Sequence, residues 1–353
     1  MGACQKSRPH LKKKGVDINM TQRDKIKLER LSGTFLNNYK ITNMYSRYLE
    51  NAPTLLTKEM IDTLTKDGDI TKEEAIVGLL CEAFSLDFEN PSDKLIIRDY
   101  LTPSIKVLST EKYENNPYYK HIRVDALKGE NWEFKREVYP PYRAFIRDDM
   151  ILADGFVEIP PLGFFDKEFE FLAVLENGNE WMTLTPVDLD TCERAIDAAR
   201  GKVITFGLGL GYYAYMVSEK AEVESITVVE KSEEVIKLFT DCILPKFPNK
   251  DKVKIINADA FEYAEHVMPN ERYDLAFVDT WRDASDGEPM YRRMKGLEKL
   301  NTPTPFMYWI ENFLISRARA LRFEELLAKI TRGARDAKTT YDELVDALIN
   351  FYD

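Results

Sequence analysis

The sequence predicts an α/β chain: a doubly wound, mostly parallel sheet in the C-terminal half, preceded by a helical segment and a small β-rich region. Three observations carry this. From Asp190 onward, apolar strand-like runs alternate with helical stretches, as βαβ units require. The first of those runs ends in the glycine-rich turn Gly207-Leu208-Gly209-Leu210-Gly211, with a helix beginning near Tyr212. Before residue 91 apolar residues recur at helical spacing, whereas between 91 and 185 they gather in short runs bounded by turn residues.

The 353 residues suffice for two domains. No apolar run approaches about 18 residues, so no membrane span is expected. A net charge of -11 argues against a binder held by phosphate contacts, because that affinity comes from displacing counterions with Lys and Arg. Cys4, Cys81, Cys192 and Cys242 form no CxxC pair, and with His10, His121 and His266 they show no metal-ligand spacing. They read as free thiols in a reducing cytosol. The expectation is a cytoplasmic protein with no metal, acting on a small molecule or peptide rather than nucleic acid, with a homodimer left open.

Taken in order, residues 1–24 read as a disordered leader. They are polar and basic without the apolar region of a secretory signal, and Met20 is a plausible alternative start. Residues 25–90 read as helical. Leu28, Leu31, Phe35, Leu36 and Tyr39 would form one apolar face, a second helix would span Thr57 to Thr65, and Thr71 with Glu74 is a capping box. Residues 91–185 form the β-rich region, with strand candidates at Ile105–Leu108, Trp132–Val138, Phe156–Ile159 and Phe169–Leu175. The Asn177-Gly178 pair signals a tight hairpin before Trp181–Leu184. Residues 186–330 form the doubly wound domain. Its first helix would start at Asp190 or Thr191, and its strands would be Val203–Phe206, Ser225–Val229, Val253–Ile256, Asp274–Val278 and Phe306–Ile310. Further helices are expected at Ser232–Cys242, Phe261–Val267 and Pro289–Leu300, and 331–353 continue as a C-terminal helix.

Four features fall at the ends of successive strands, where open α/β sheets bind ligands. Gly207, Gly209 and Gly211 remove the Cβ atoms that would keep a ligand from the backbone, and the following helix offers N–H groups. The spacing is GxGxG rather than the GxGxxG of dinucleotide sites, which suits a ligand with one carboxylate better than a pyrophosphate. Glu230 ends the second strand, where a carboxylate can accept from both ribose hydroxyls. Asp259, followed by Ala260, ends the third and could reach an adenine amino group. Asp279 ends the fourth, beside the expected reacting centre. Taken singly, each acid is equally well a helix cap or a structural carboxylate.

In its order and spacing the series resembles the class I S-adenosylmethionine-dependent methyltransferase superfamily, including its spermidine-synthase-like branch, over roughly residues 185–330. The resemblance implies a Rossmann-like domain binding S-adenosylmethionine. Gly207, Gly209 and Gly211 would approach the methionine moiety, Glu230 the ribose, and Asp259 with Ala260 the adenine. Asp279 would meet the methionine ammonium or the substrate. Leu184–Asp188 would be a lid, and the β-rich region a substrate cover, by analogy of fold. Asp279 and Asp283 are the candidate catalytic bases, with Asp286 behind them and Trp281 as a wall.

The chain also departs from the pattern. Thr205 stands where many members carry an acid, and helix replaces the usual terminal hairpin. Asn116-Pro117-Tyr118-Tyr119 is only a partial likeness to the Asn-Pro-Pro-Tyr motif and reads as a turn with aromatic packing. Two alternatives stand beside methyl transfer. One is aminopropyl transfer of the polyamine-synthase kind, although those enzymes space their paired aspartates three apart before a proline, unlike Asp279 and Asp283. The other is a non-catalytic binding module on the same fold.

Overall fold

The computed structural model describes residues 22–122 and 132–331. Those residues fall into two units, Thr34–Arg317 and a smaller one made of residues before Thr34 with those after Arg317. In the smaller unit the described residues are the start of the helix Gln22–Asn51 and the end of the helix Glu311–Thr331. The expected leader lies outside the described residues up to position 21, and the helix takes in 22–24. Of the expected C-terminal helix, residues 332–353 lie outside them too. No helix among the described residues is long and apolar enough to cross a membrane.

In the larger unit the expected face of the first helix needs correction. Leu36 and Tyr39 are 63% and 66% exposed, while Phe35, Asn38, Ile41, Tyr45 and Tyr48 are buried. The buried stripe follows the 3.6-residue period from Phe35 with Asn38 inside it, and a polar residue on that stripe hid it. Asn38 is satisfied there, donating to the Phe156 carbonyl at 2.8 Å and accepting from the Tyr100 hydroxyl at 2.9 Å. The next two helices are as expected: Thr57 caps Lys58–Thr65, and Thr71 with Glu74 boxes Lys72–Ala83.

The β-rich region contains more helix than its sequence suggested. Asn90 caps a helical run from Pro91 to Ser104 that buries Ile96, Ile97, Tyr100 and Leu101. Pro91 sits in the first turn, where its missing N–H costs nothing, so it starts the helix instead of ending one. The strands are β1 (Ile105–Leu108), β2 (Trp132–Tyr139), β3 (Phe145–Ile146), β4 (Ile151–Ala153), β5 (Val157–Ile159), β6 (Leu162–Phe165), β7 (Phe169–Glu176) and β8 (Asn179–Leu184). β2, β7 and β8 form an antiparallel sheet in that order, and β1, β6 and β3 a small mixed one. The β7–β8 hairpin turns on Asn177 at φ 51 and Gly178 at φ 80, the backbone that Asn-Gly favours.

The C-terminal half carries β9 (Gly201–Phe206), β10 (Val223–Glu230), β11 (Val253–Asn257), β12 (Leu275–Val278) and β13 (Phe306–Tyr308). They form one parallel sheet in the order β11-β10-β9-β12-β13. Val203, Val228 and Phe277 pack on one face with Phe134 on β2 and Phe171 and Val174 on β7. Ile204, Phe206, Val229 and Val278 pack on the other with the helix residues Tyr291 and Met294. Burial on both faces explains why these strands read as unbroken apolar runs. This is a Rossmann-like fold. From β9 the chain runs through β10 to β11 on one side and then crosses to β12 and β13 on the other, so the crevice where ligands bind such sheets opens between the ends of β9 and β12.

Candidate functional site

At that crevice the chain turns on three glycines, all in the left-handed region: Gly207 at φ 97, Gly209 at φ 50 and Gly211 at φ 74. Their surroundings differ. A Cβ on Gly207 would overlap the carbonyl oxygen of Asp279, so this glycine lets the ends of β9 and β12 meet. A Cβ on Gly209 would lie 2.9 Å from the thioether of Met182 on β8, which therefore rests against the turn. A Cβ on Gly211 would strike the ring of Phe239. Gly211 caps the helix Tyr212–Ser218 and sets its packing, and it lies outside the walls of the hollows that the other two glycines border.

Two hollows flank Gly207–Gly209. The larger, about 370 Å³, is bounded by β8, by Asp188 and Cys192 on the helix Pro186–Ala198, and by Thr205, Tyr213, Phe277 and Asp279. The smaller, about 170 Å³, is bounded by Glu230, Ala258, Asp259, Ala260, Phe261 and Thr280. Asp279, Trp281 and Arg282 border both. Tyr212 and Tyr213 form part of the larger hollow's wall and leave it open.

The helix leading into the turn starts earlier than its sequence suggested, at Pro186 instead of Asp190 or Thr191. Asp188 accepts from the Thr185 N–H at 2.7 Å and from its hydroxyl at 2.8 Å, closing a capping box. The segment expected as a lid is thus the end of β8 and the first turn of a helix, and its Asp188 faces the larger hollow. Burial raises Asp188 to about 6.

Glu230 accepts from the Leu208 N–H at 3.1 Å and from the Ser232 N–H at 2.8 Å, one on each oxygen. It therefore ties the glycine turn to the second strand and still has lone pairs toward the smaller hollow. Asp259 caps the helix starting at Ala260, taking the N–H groups of Phe261 at 2.9 Å and Glu262 at 3.1 Å on the same oxygen, Oδ1. Ala260, beside it, is in the wall of that hollow.

Asp279 differs from both, since no described residue donates to its carboxylate. Burial raises it to about 8, with Asp188 and then Glu230 adding to the effect. Asp283 does not join it. Asp283 accepts from the Ser285 N–H at 2.6 Å and the Ser285 hydroxyl at 2.5 Å as the cap of the helix Ala284–Leu297, and it borders neither hollow. The Ser285 bonds hold its carboxyl below the usual range. Asp286 closes the same box, accepting from the Asp283 N–H at 3.1 Å. The expected acidic loop is a capping box, and the helix starts at Ala284, ahead of Pro289.

Among the described residues, three polar atoms in the walls are buried without a partner: the Tyr213 hydroxyl, the Thr280 hydroxyl and the Trp281 indole N–H. Such groups are costly unless something binds them. Tyr213 is fixed by stacking on Phe277 at 4.3 Å between ring centres. Sequence reasoning gave Asp188 only as the end of a lid and did not single out Cys192 or Tyr213 as walls of the hollow. Only the spacing of Asp188 and Cys192, four apart on one helix face, could have joined two of them.

No family model and no curated protein matches the chain. Among solved structures, spermidine synthase from Thermotoga maritima aligns at 16% identity and TM-score 0.26, over 36% of this chain and 49% of that one. Spermidine synthase in complex with the transition state analogue AdoDATO aligns at 15% and TM-score 0.25, over 38% and 57%. The methyltransferase domain of bacterial CtHen1 aligns at 20% and TM-score 0.24, over 31% and 54%. The chain thus spans about half the length of these structures. Likenesses so partial say nothing of activity.

The Asn116 segment, finally, is support. Asn116 caps the helix Pro117–His121 and donates to the Tyr212 hydroxyl at 3.0 Å, and the Tyr118 hydroxyl donates to the Leu210 carbonyl at 2.6 Å. The aromatic packing expected there is present, on a short helix instead of a turn.

Proposed function

We propose that the chain is an S-adenosylmethionine-dependent methyltransferase acting on a small-molecule or peptide acceptor. One observation carries the reading: an undonated carboxyl, Asp279, stands where the two hollows meet, at the switch point of a Rossmann-like sheet.

The walls fit the cofactor on several counts. Gly207 and Gly209 keep side chains away from the backbone at the mouth of both hollows. Glu230 would accept from the ribose hydroxyls, while Asp259 and Ala260 would border the adenine. The unpartnered donors of Tyr213, Thr280 and Trp281 would find acceptors. Charge agrees too. Among the described residues, Glu180, Asp188 and Asp279 line the larger hollow against one basic side chain, Arg282, which is paired with Asp286 at 3.3 Å. A cationic ligand relieves such a site.

When bound, S-adenosylmethionine supplies a methyl group on a positively charged sulfur. The protein's share is to position the acceptor and manage its proton. Asp279, raised to about 8, holds a proton at neutral pH in the free protein; a cation bound beside it would drive that proton off and leave a carboxylate able to take one from the acceptor. Phe277, Trp281 and Trp309 line the larger hollow with apolar surface.

The test is transfer of a labelled methyl group from S-adenosylmethionine to a panel of small amines, alcohols, thiols and short peptides. Label should pass to an acceptor with wild type, and about 100-fold or more slowly with Asp279→Asn. Equal transfer by the variant would remove Asp279 from the chemistry. Transfer from decarboxylated S-adenosylmethionine to a diamine, without methyl transfer, would replace the reading by aminopropyl transfer.

A further inference from the structure

Trp309 borders the larger hollow, and the chain holds it there through its backbone and its ring. Its N–H donates to the Val278 carbonyl at 3.0 Å, and its indole N–H donates to the Thr191 hydroxyl at 2.9 Å. The next residue, Ile310, is 7% exposed and sits at φ 47, in the left-handed region that a β-branched side chain rarely enters. Backbone of that kind persists only where its surroundings hold it. The helix Glu311–Thr331 begins immediately after it.

The hold comes from Asp149, in the loop between β3 and β4 and 163 positions before Asn312. Its Oδ2 accepts from the Asn312 N–H at 2.9 Å, and its Oδ1 accepts from the Phe313 N–H at 3.0 Å and the Met150 N–H at 2.8 Å. Asp149 thus takes two of the first-turn donors that a helix leaves without an internal partner. Burial pushes its carboxyl up to about 6, so at neutral pH it is charged against the positive end of the helix. The Asn312 side chain adds a bond to the Met150 carbonyl at 2.8 Å, and Glu311 accepts from the Tyr291 hydroxyl at 2.8 Å. Those bonds are made by side chains of the helix. Asp149 grips the backbone, and so fixes the direction in which the chain leaves Ile310.

We propose that Asp149 is a positioning residue for the larger hollow: by capping the helix Glu311–Thr331 it keeps Ile310 in its left-handed turn and Trp309 in the hollow's wall. Without the cap, Ile310 relaxes to an ordinary backbone conformation, and the indole leaves the wall. Asp149 itself borders neither hollow, so it acts through Trp309 and touches no ligand. The chemical consequence rests on the methyltransferase reading, under which the larger hollow receives the acceptor. Asp149 then governs which acceptors fit.

Fluorine NMR of the full chain labelled with 5-fluorotryptophan reads the wall directly. Each of the four tryptophans gives one resonance, and Trp309→Phe identifies the Trp309 signal. Asp149→Ala should move that signal toward its position in the unfolded chain and speed hydrogen exchange at the Asn312 and Phe313 amides about tenfold or more. Ser316→Ala is the control. It removes the bond from Ser316 to Glu158 at 2.7 Å, further along the same helix, and should leave the Trp309 signal in place. Should Asp149→Ala fail to fold, Asp149→Asn, which keeps one acceptor oxygen, carries the same comparison.

The proposal is overturned if the Asp149 variant leaves the Trp309 signal unchanged, or if Ser316→Ala moves it as far. With an acceptor from the methyl-transfer panel, Asp149→Ala should raise KM about tenfold and leave kcat within about threefold, whereas a loss confined to kcat would overturn the role in acceptor fit. Binding of 5′-methylthioadenosine, which probes the smaller hollow, should stay within about twofold of wild type, and a larger loss would mean general loosening and count against the proposal. Failure of wild type to bind that probe would sink the cofactor reading and leave the Trp309 result standing.

Discussion

Gly207 and the carbonyl oxygen of Asp279 lie so close that a Cβ added to the glycine would overlap that oxygen. The backbone on either side is fixed, because the Asp279 N–H donates to the Phe206 carbonyl at 2.8 Å and the Gly207 N–H to the Val229 carbonyl at 2.9 Å. Neither partner can yield without opening the sheet, and Gly207 also holds φ 97. Gly207→Ala is therefore expected to cost on the order of 2–4 kcal/mol, read as a lowered denaturant midpoint. Gly209→Ala meets only the flexible Met182 thioether and should cost about 1 kcal/mol. Equal losses at the two positions would contradict this packing.

Asp279 sets a pH dependence of stability. Its folded pKa, about 8, is above that of an ordinary aspartate, chiefly through burial. Between the ordinary carboxylate range and about 8 the folded state keeps a proton that the unfolded chain has lost, so stability from this group declines as pH rises through that window. Asp279→Asn removes the group. Its melting temperature should fall less than that of wild type between pH 5 and pH 8.5. Parallel declines would show that Asp279 is not held protonated.

The same sign applies to binding. A cation beside Asp279 favours the charged carboxylate, so S-adenosylmethionine binding at pH 7 should release a proton. Calorimetry in phosphate and in Tris, whose ionisation heats differ, reads that release directly. An observed heat independent of buffer would contradict it, and Asp279→Asn should abolish the difference.

The glycine turn is held from outside by the Tyr118 hydroxyl, which donates to the Leu210 carbonyl at 2.6 Å. Tyr118→Phe leaves that buried carbonyl without its donor and should cost about 1–3 kcal/mol in the denaturant midpoint. A neutral substitution would mean that water replaces the hydroxyl.

The three central strands were legible because each is buried on both faces and so is written as an apolar run: Val203–Phe206 and Leu275–Val278 could be little else. Glu230, Asp259 and Asp279 were legible as candidates because they end such runs. Other features were not. Asp283 and Asp286 looked like an acidic loop, since a capping box made of two aspartates has the same letters as a catalytic pair. Pro186 looked like loop because a proline inside the first turn of a helix resembles one that ends it. Asp188 and Tyr213 carry no local pattern, as only the closing of the sheet brings them beside Asp279. The buried stripe on the first helix was missed because it includes Asn38.

Titration of the full chain with S-adenosylmethionine, for wild type and Glu230→Gln, tests the central claim most directly. Glutamine keeps one oxygen for the Leu208 N–H of the glycine turn, gives up the Ser232 bond on the other, and takes away the charge that would face the ribose. Saturable one-to-one binding by wild type, weakened about tenfold or more in the variant, is the predicted result. Absence of saturable binding by wild type, or binding that Glu230→Gln leaves unchanged, would contradict the account.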